Sequence, residues 1–136
     1  MSSHVAFVDG GARGNPGPAG WGAQIRDPHD AIITEFHGAI GEATNNVAEY
    51  SGLIAALEWC IAQGVTRVEV RSDSLLLVQQ MRGVYKVKAE GLKPLSAKAR
   101  LLAARIGHVT YTHIPREKNK DADRLANQAM DEAAAT

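Results

Sequence analysis

Four acidic residues stand where predicted strands or helices begin or end, and clustered carboxylates of this kind can support metal-dependent hydrolysis. They are Asp9, Glu49, Asp73 and Asp123. Taken singly, each has an ordinary structural explanation. Asp9 can be a polar strand end, and Glu49 can complete a capping box with Asn46. Asp73 can be a helix N-cap, and Asp123 suits the first turn of a helix, where the macrodipole favours an acid.

Carboxylates that meet in one cluster repel one another unless a cation lies between them. Oxygen ligands select Mg²⁺ or Mn²⁺, and no Cys or His spacing in the sequence is typical of zinc. Two such ions about 3.5–4 Å apart hold the attacking and leaving oxygens of a phosphodiester. If the fold brings the four acids together, the sequence therefore predicts a site for two Mg²⁺ or Mn²⁺ ions.

The elements that must position these acids form an α/β pattern. An apolar run before Asp9 predicts a buried strand, and Gly10 and Gly11 after it allow another group to approach the backbone. Predicted strands cover residues 4–9, 20–26, 31–40, 65–71 and 108–115. Predicted helices cover residues 44–63, a short segment from the cap at 72–74 to 81, 94–106 and 119–134.

Connection lengths predict the topology of the sheet. Short connections make strands 1–3 antiparallel, and a strand–helix–strand unit implies a right-handed parallel crossover. We expect a mixed five-stranded sheet flanked by helices, with strands 4 and 5 parallel to strand 1. Sites in such sheets form at the carboxyl ends of strands where the strand order reverses. Asp9 and Asp73 should then leave the sheet side by side.

Length and composition limit the class of protein. The 136 residues fit a single domain, 1–136, and a hydrophobic content of 45% supports a real core. The formal net charge of zero does not by itself indicate a nucleic-acid partner. The single cysteine, Cys60, rules out an internal disulfide and favours a reducing compartment. With no signal-peptide pattern and no long apolar run, we expect a cytoplasmic monomer with no membrane contact.

Four ordered stretches resemble ribonuclease HI across nearly the whole chain, most closely the short form found in archaea and some bacteria. The stretches are Asp9-Gly10-Gly11 followed by Gly14-Asn15-Pro16-Gly17, Thr44-Asn45-Asn46-Val47-Ala48-Glu49, Ser72-Asp73-Ser74 and Asn119-Lys120-Asp121-Ala122-Asp123-Arg124-Leu125-Ala126. The resemblance implies an RNase H-like fold. It also implies an endonuclease that hydrolyses the RNA strand of RNA–DNA hybrids to 5′-phosphate and 3′-hydroxyl ends.

The same resemblance implies roles for individual residues. The four acids would be both the catalytic residues and the ligands of two metal ions. Residues that by position look like substrate contacts are Gly14, Asn15, Thr44, Asn45, Asn46 and Ser74. Short donors on an exposed turn can contact the 2′-hydroxyl that distinguishes RNA from DNA. Helix capping alone is the alternative for Asn45 and Asn46.

Two further features concern auxiliary residues. His113 lies ten residues before Asp123, a spacing at which many family members carry a mobile histidine, but it falls inside predicted strand 5. Arg116 is the other candidate for this catalytic auxiliary role.

On the loop after the short helix, Tyr85 stands beside Lys86 and Lys88, a combination that can hold a nucleic-acid backbone by charge and stacking.

Other functions on the same fold were weighed against this one. Loss of any one of the four acids would favour a catalytically weak nucleic-acid-binding module, but all four are present. Exonucleases, integrases and resolvases of this fold usually lack the Gly-Asn-Pro-Gly loop. A nuclease acting on double-stranded RNA stays open as the second function. The expected partner is RNA–DNA hybrid, with double-stranded RNA as a second candidate.

Overall fold

The computed structural model of the chain describes residues 2–135. Its strands are β1 (His4–Ala12), β2 (Gly17–Arg26), β3 (Ile32–Ala43), β4 (Arg67–Ser72) and β5 (His108–His113). Its α-helices are α1 (Asn45–Ala62), α2 (Leu75–Met81), α3 (Lys93–Ile106) and α4 (Lys120–Ala134). A short 3₁₀ turn, Arg116–Lys118, precedes α4.

The five strands form one mixed sheet in the order β3-β2-β1-β4-β5. Strands β1, β2 and β3 pair antiparallel, and β4 and β5 run parallel to β1. The predicted fold class and strand directions are therefore confirmed. Strand β1 is central, and the strand order reverses between it and β4, so the carboxyl ends of these two strands form the switch point of the sheet.

Helices cover both faces of the sheet. Helix α1 packs against β1 and α3, whereas α4 packs against β2, β3 and β1. Ala6 and Val8 on β1 join Val68 and Val70 on β4 in the main core beneath α1. The alternating pattern of β4, with Val68 and Val70 buried between half-buried polar residues, gives a strand whose one face is apolar. Among residues 2–135 no helix has the length and apolar content needed to cross a membrane.

Strand boundaries differ from the prediction around the glycine-rich loop. Strand β1 continues through Gly10 and Gly11 to Ala12, and β2 begins at Gly17 rather than at residue 20. Asp9 is thus an internal strand residue that pairs with Gly22. The prediction ended the strand at Asp9 because glycines weaken strands in isolation. Here a long antiparallel ladder supplies the hydrogen bonds that their low propensity does not.

Gly10 is where helix α1 approaches the sheet most closely. A methyl group built on Gly10 would lie 2.3 Å from the carbonyl carbon of Ala48 and 2.5 Å from the nitrogen of Glu49. Real side chains do not tolerate such separations from backbone atoms. The absence of a side chain at Gly10 therefore sets how near the first turns of α1 lie to β1.

We predict that Gly10→Ala destabilises the fold by about 2–4 kcal/mol, because the added methyl group must push α1 away from the sheet. The melting temperature, measured by circular dichroism in chelator, should fall by at least about 5 °C. Gly91→Ala is the matched control, since nothing lies within 4 Å of a methyl group there. Equal melting temperatures for the two variants would contradict this account of the close approach.

Candidate active site

Three carboxylates from three different elements meet at the switch point of the sheet. Asp9 lies on β1, Glu49 in α1, and Asp73 directly after β4. One carboxylate oxygen from each residue lies within 4.8 Å of the other two. Asp9 is buried, whereas Glu49 and Asp73 are partly exposed to the cleft. The parallel pairing of β1 and β4 places Asp9 and Asp73 side by side, as predicted.

Burial and mutual repulsion make ionisation of this cluster costly. Burial raises the pKa of Asp9 to about 8, and the charge of Asp73 adds to the rise. Burial likewise raises the pKa of Glu49 to about 9, with further contributions from Asp9 and Asp73. The pKa of Asp73 is also raised by burial, although the Arg116 guanidinium opposes the change. Burial and mutual repulsion thus favour the protonated forms of these carboxyl groups in the metal-free cluster.

The donor set fits a hard divalent cation. The Oε2 atom of Glu49 is buried without a hydrogen-bond partner among the described residues. A buried acceptor left unpaired costs free energy unless another group satisfies it. The three clustered ligand atoms are all carboxylate oxygens, and such ligands suit Mg²⁺ or Mn²⁺. The geometry thus agrees with a cation among Asp9, Glu49 and Asp73.

Asp123 reaches the same cleft from α4 but is not part of the group of three. Its charge contributes to the raised pKa of Asp9, which places the two carboxyl groups near each other. Its Oδ1 lies 3.9 Å from Nη2 of Arg116, an arginine whose side chain is 82% exposed. All four predicted acids line one cleft of about 500 Å³. The structure therefore brings the four together, with three in the tightest cluster.

The capping explanations do not describe how these acids are used. The N-cap of α1 is Thr44, whose Oγ1 accepts from the nitrogen of Val47 at 3.3 Å, so Glu49 is not in a capping-box position. The N-cap of α2 is Ser74, whose Oγ accepts from the nitrogen of Leu77 at 3.2 Å. Asp73 is therefore not the cap of its helix, and its carboxylate remains available to the cleft.

The end of β1 and the loop that follows it, residues 13–16, are attached to the start of α1 by two side-chain hydrogen bonds. The Oδ1 of Asn15 accepts from the nitrogen of Asn45 at 3.0 Å, and the Oδ1 of Asn45 accepts from the nitrogen of Ala12 at 2.8 Å. Asn45 lines the cleft. Because Thr44 is the N-cap and Asn45 Oδ1 bonds Ala12, the side chain of Asn45 holds this connection rather than capping the helix. Asn46 is exposed on the first turn of α1, and Gly14 has a positive φ of 85° in the loop.

The two candidates for an auxiliary role occupy different places. Arg116 lines the cleft, in the 3₁₀ turn before α4. His113 is the exposed last residue of β5, pairs with Ser72 and is outside the lining of the cleft. Tyr85, Lys86 and Lys88 are all exposed on the loop after α2 and are also outside that lining.

Sequence reasoning missed Asn119 as a positioning residue. Its side chain is 1% exposed, and its Nδ2 donates to the carbonyl oxygen of Val8 at 2.9 Å. The same amide lies close enough to Asp73 to lower the pKa of its carboxyl group. Asn119 therefore ties the start of α4 to β1 beside the acids. A polar residue four positions before Asp123 was the available signal, but only tertiary structure shows that its partners are Val8 and Asp73.

Other residues that line the cleft were also missed by sequence reasoning. They are Ala12, Arg13, Asn127 and Met130. Asn127 and Met130 lie on α4, four and seven residues after Asp123, and so share its helix face. That spacing was a usable signal once the face carrying Asp123 was known to point at the cleft.

Comparison with known proteins places the chain in a family. The model of a family described as reverse transcriptase-like matches residues 7–129. The chain is 35% identical over 146 residues to a ribonuclease H of Hydrogenovibrio crunogenus, covering 97% of this chain and 98% of that protein. The solved structure of LC11 ribonuclease H1 in complex with RNA/DNA hybrid is 48% identical, with a TM-score of 0.92, covering 97% of this chain and 99% of that one. The chain belongs to the ribonuclease H family.

One relative is considerably longer than this chain. A bifunctional protein of Mycobacterium tuberculosis is 50% identical over 131 residues, which are 96% of this chain and 36% of that protein. The chain thus spans about a third of the length of that relative. The similarity concerns the ribonuclease H domain alone.

We predict that Glu49→Gln raises the melting temperature of the metal-free protein, and that the gain grows between pH 5 and pH 8. Burial raises the pKa of Glu49 from an ordinary value of 4.5 to about 9, so folding takes up a proton between pH 5 and pH 8. Wild-type stability is therefore lost as pH rises, whereas glutamine titrates in neither state. A gain of about 3–6 °C at pH 8 is expected in chelator, measured by calorimetry.

The control for this measurement is Glu42→Gln, which changes an exposed glutamate on β3. Its melting temperature should follow that of the wild type at both pH values. A Glu49→Gln gain that is the same at pH 5 and pH 8, or that is absent at both, would show that Glu49 does not take up a proton on folding.

Proposed function

We propose that this domain is a metal-dependent endonuclease that hydrolyses the RNA strand of RNA–DNA hybrids, leaving 5′-phosphate and 3′-hydroxyl ends. The observation that carries the proposal is the cluster of Asp9, Glu49 and Asp73 within 4.8 Å, with an unpaired buried oxygen on Glu49. Membership of the ribonuclease H family and the hybrid-bound structure of LC11 ribonuclease H1 support the choice of substrate.

The proposal assigns a pair of Mg²⁺ or Mn²⁺ ions to the four acids. Asp9, Glu49 and Asp73 would hold them from the clustered side, and Asp123 from α4. Such a pair lowers the pKa of the attacking water and neutralises charge on the leaving oxygen. The role of the chain is then to hold the carboxylates close together before the ions arrive, which Gly10 and Asn119 do from opposite sides.

The loop between β1 and β2 is proposed to recognise the RNA strand. The two hydrogen bonds between this loop and Asn45 use both Oδ1 atoms and leave the amide Nδ2 groups of Asn15 and Asn45 as donors. Donors of this kind can bond the 2′-hydroxyls exposed in the wide minor groove of a hybrid. Contacts from Gly14 and Asn46 belong to the same proposal, and Thr44 and Ser74 are proposed as contacts on the phosphate side.

The loop after α2 is proposed to hold the DNA strand. Tyr85 is 43% exposed beside the exposed Lys86 and Lys88, and the backbone nitrogen of Tyr85 donates to Gln79 at 3.1 Å. The aromatic ring is therefore displayed on a loop that is fixed to α2. Lysines attract the phosphate backbone, and an exposed ring can stack on a base or sugar.

We also propose that the domain spans 1–136 and works as a monomer in the cytoplasm. The single cysteine, Cys60, is buried and free, as suits a reducing compartment. Gel filtration of the purified chain tests the monomer directly.

We predict cleavage of the RNA strand of a labelled RNA–DNA hybrid with Mg²⁺ or Mn²⁺, and none in chelator. Asp9→Asn and Asp73→Asn should each lower the rate by about a thousandfold or more, because each removes a carboxylate that holds the ions. Double-stranded RNA and double-stranded DNA are the comparison substrates. Product ends are identified by their sensitivity to phosphatase.

Asp30→Asn is the matched control for the loss of an acid, since Asp30 is exposed in the β2–β3 turn. Its activity should equal that of the wild type. Undiminished cleavage by Asp9→Asn or Asp73→Asn, with circular dichroism confirming that both fold, would refute the assignment of the site. Faster cleavage of double-stranded RNA than of hybrid would refute the assignment of the substrate.

We predict that Arg116→Ala lowers kcat on hybrid by about tenfold, whereas His113→Ala changes it by less than about twofold. Arg116 lines the cleft beside Asp123, where its charge can act on the reacting phosphate. His113 is outside that lining. Steady-state kinetics of the two variants measure the difference, and a larger loss in His113→Ala would reverse the assignment.

A further inference from the structure

The lining of the cleft extends beyond the acids to one further charged residue, Arg13. It continues along Gly11 and Ala12 to Arg13 and includes Asn127 and Met130 of α4. A strand that places one phosphate at the acids would therefore continue along the same cleft towards Arg13. None of the roles proposed above uses this arginine.

The guanidinium of Arg13 is anchored through one nitrogen. Its Nη2 lies 2.7 Å from Oδ1 of Asp131, and 3.4 Å and 3.5 Å from Oδ1 and the carbonyl oxygen of Asn127. All three contacts are on α4 and all use Nη2. Within residues 2–135 this leaves Nη1 and Nε without a partner, so the guanidinium can still bind a further anion.

The same contacts link Arg13 to the acid site. The Nδ2 of Asn127 donates to the carbonyl oxygen of Asp123 at 2.9 Å, so the residue that holds Arg13 is bonded to the turn that carries Asp123. The backbone nitrogen of Arg13 donates to Pro18 at 2.9 Å, which closes the loop. Arg13 is thus held on both its backbone and its side chain.

The charge of Arg13 is informative because most of the charged residues that line the cleft are acidic. Four carboxylates line it, and a polyanionic strand gains from cations that flank them. Arg116 supplies one such charge beside Asp123, and Arg13 supplies another in the same lining. Arginine binds phosphate oxygens through charge-assisted hydrogen bonds, and the free Nη1 and Nε of Arg13 can each donate one.

A purely structural role for Arg13 would be weak. The Arg13–Asp131 pair is solvent-exposed, with side chains 46% and 66% exposed. Exposed ion pairs contribute little to stability. The contact to Asp131 therefore matters chiefly because it orients the guanidinium.

We propose that Arg13 is a substrate-binding residue that contacts a non-scissile phosphate of the RNA strand, with Asp131 and Asn127 as its positioning residues. This inference rests on the proposed hybrid nuclease activity. It adds a phosphate contact in the lining of the cleft outside the four acids.

The first test compares Arg13→Gln with Arg124→Gln, a control arginine of α4 that pairs with Glu35 and lies outside the lining of the cleft. Arg13→Gln should raise KM for hybrid about tenfold, with kcat within about twofold. It should also lower the slope of log KM against log salt by about one, as expected for one lost phosphate contact. Arg124→Gln should change neither quantity.

The second test uses hybrids in which one RNA-strand phosphate is replaced by an uncharged methylphosphonate. At one position other than the cleaved bond, the replacement should raise KM of the wild type about tenfold and leave Arg13→Gln unaffected. The same replacement at any position in the DNA strand should affect wild type and Arg13→Gln equally. Asp131→Asn should raise KM by less than Arg13→Gln does. The variant with both substitutions should have the same KM as Arg13→Gln alone.

The possible failures are distinguishable. If the wild type does not cleave hybrid, the proposed function itself fails. If the wild type cleaves but Arg13→Gln matches Arg124→Gln in KM and salt slope, the phosphate contact is wrong while the nuclease stands. A fall in melting temperature in Arg13→Gln without a change in KM would show that Arg13 only attaches the loop to α4.

Discussion

Repulsion among clustered carboxylates is the interaction on which the rest of this structure depends. Asp9, Glu49 and Asp73 are held within 4.8 Å, and burial raises the pKa of each. A fold optimised for stability alone would not gather them, because each must lose water and face like charges. The cluster persists because β1, β4 and α1 are fixed by packing elsewhere. Strain stored in this way becomes useful when a divalent cation enters, since the cation removes both penalties.

Close packing of backbone against backbone makes the cluster possible. Gly10 lets α1 approach β1 until Glu49 stands beside Asp9. On the other face, Gly22 lets α4 approach β2, which brings Asp123 to the same end of the sheet. Asn119 then fastens the start of α4 to β1 through Val8. The positions of the four acidic side chains thus depend on two glycines, Gly10 and Gly22, and on the buried amide of Asn119.

A net charge of zero hides a strongly divided surface. The acids converge in the cleft, while arginines stand at its edges and lysines on the loop after α2. This arrangement suits a polyanion. The basic residues can hold it on both sides of the acidic centre, and the acidic centre attracts it only when cations are bound there. Overall charge therefore says little about the partner of this domain, and the local arrangement of charge says much more.

Much of this protein was decided by the sequence alone. Hydrophobic periodicity and connection length predicted the sheet directions and the helices, because these depend on local patterns and on the handedness of the crossover. The ordered motifs indicated the family and its acids. Tertiary structure decided what depends on partners on other elements: that β1 continues through its glycines in the ladder with β2, that Asn119 bonds Val8, and that Arg13 pairs with Asp131. The partners of Asn119 and Arg13 lie 111 and 118 positions away along the chain, so no local pattern could identify those contacts.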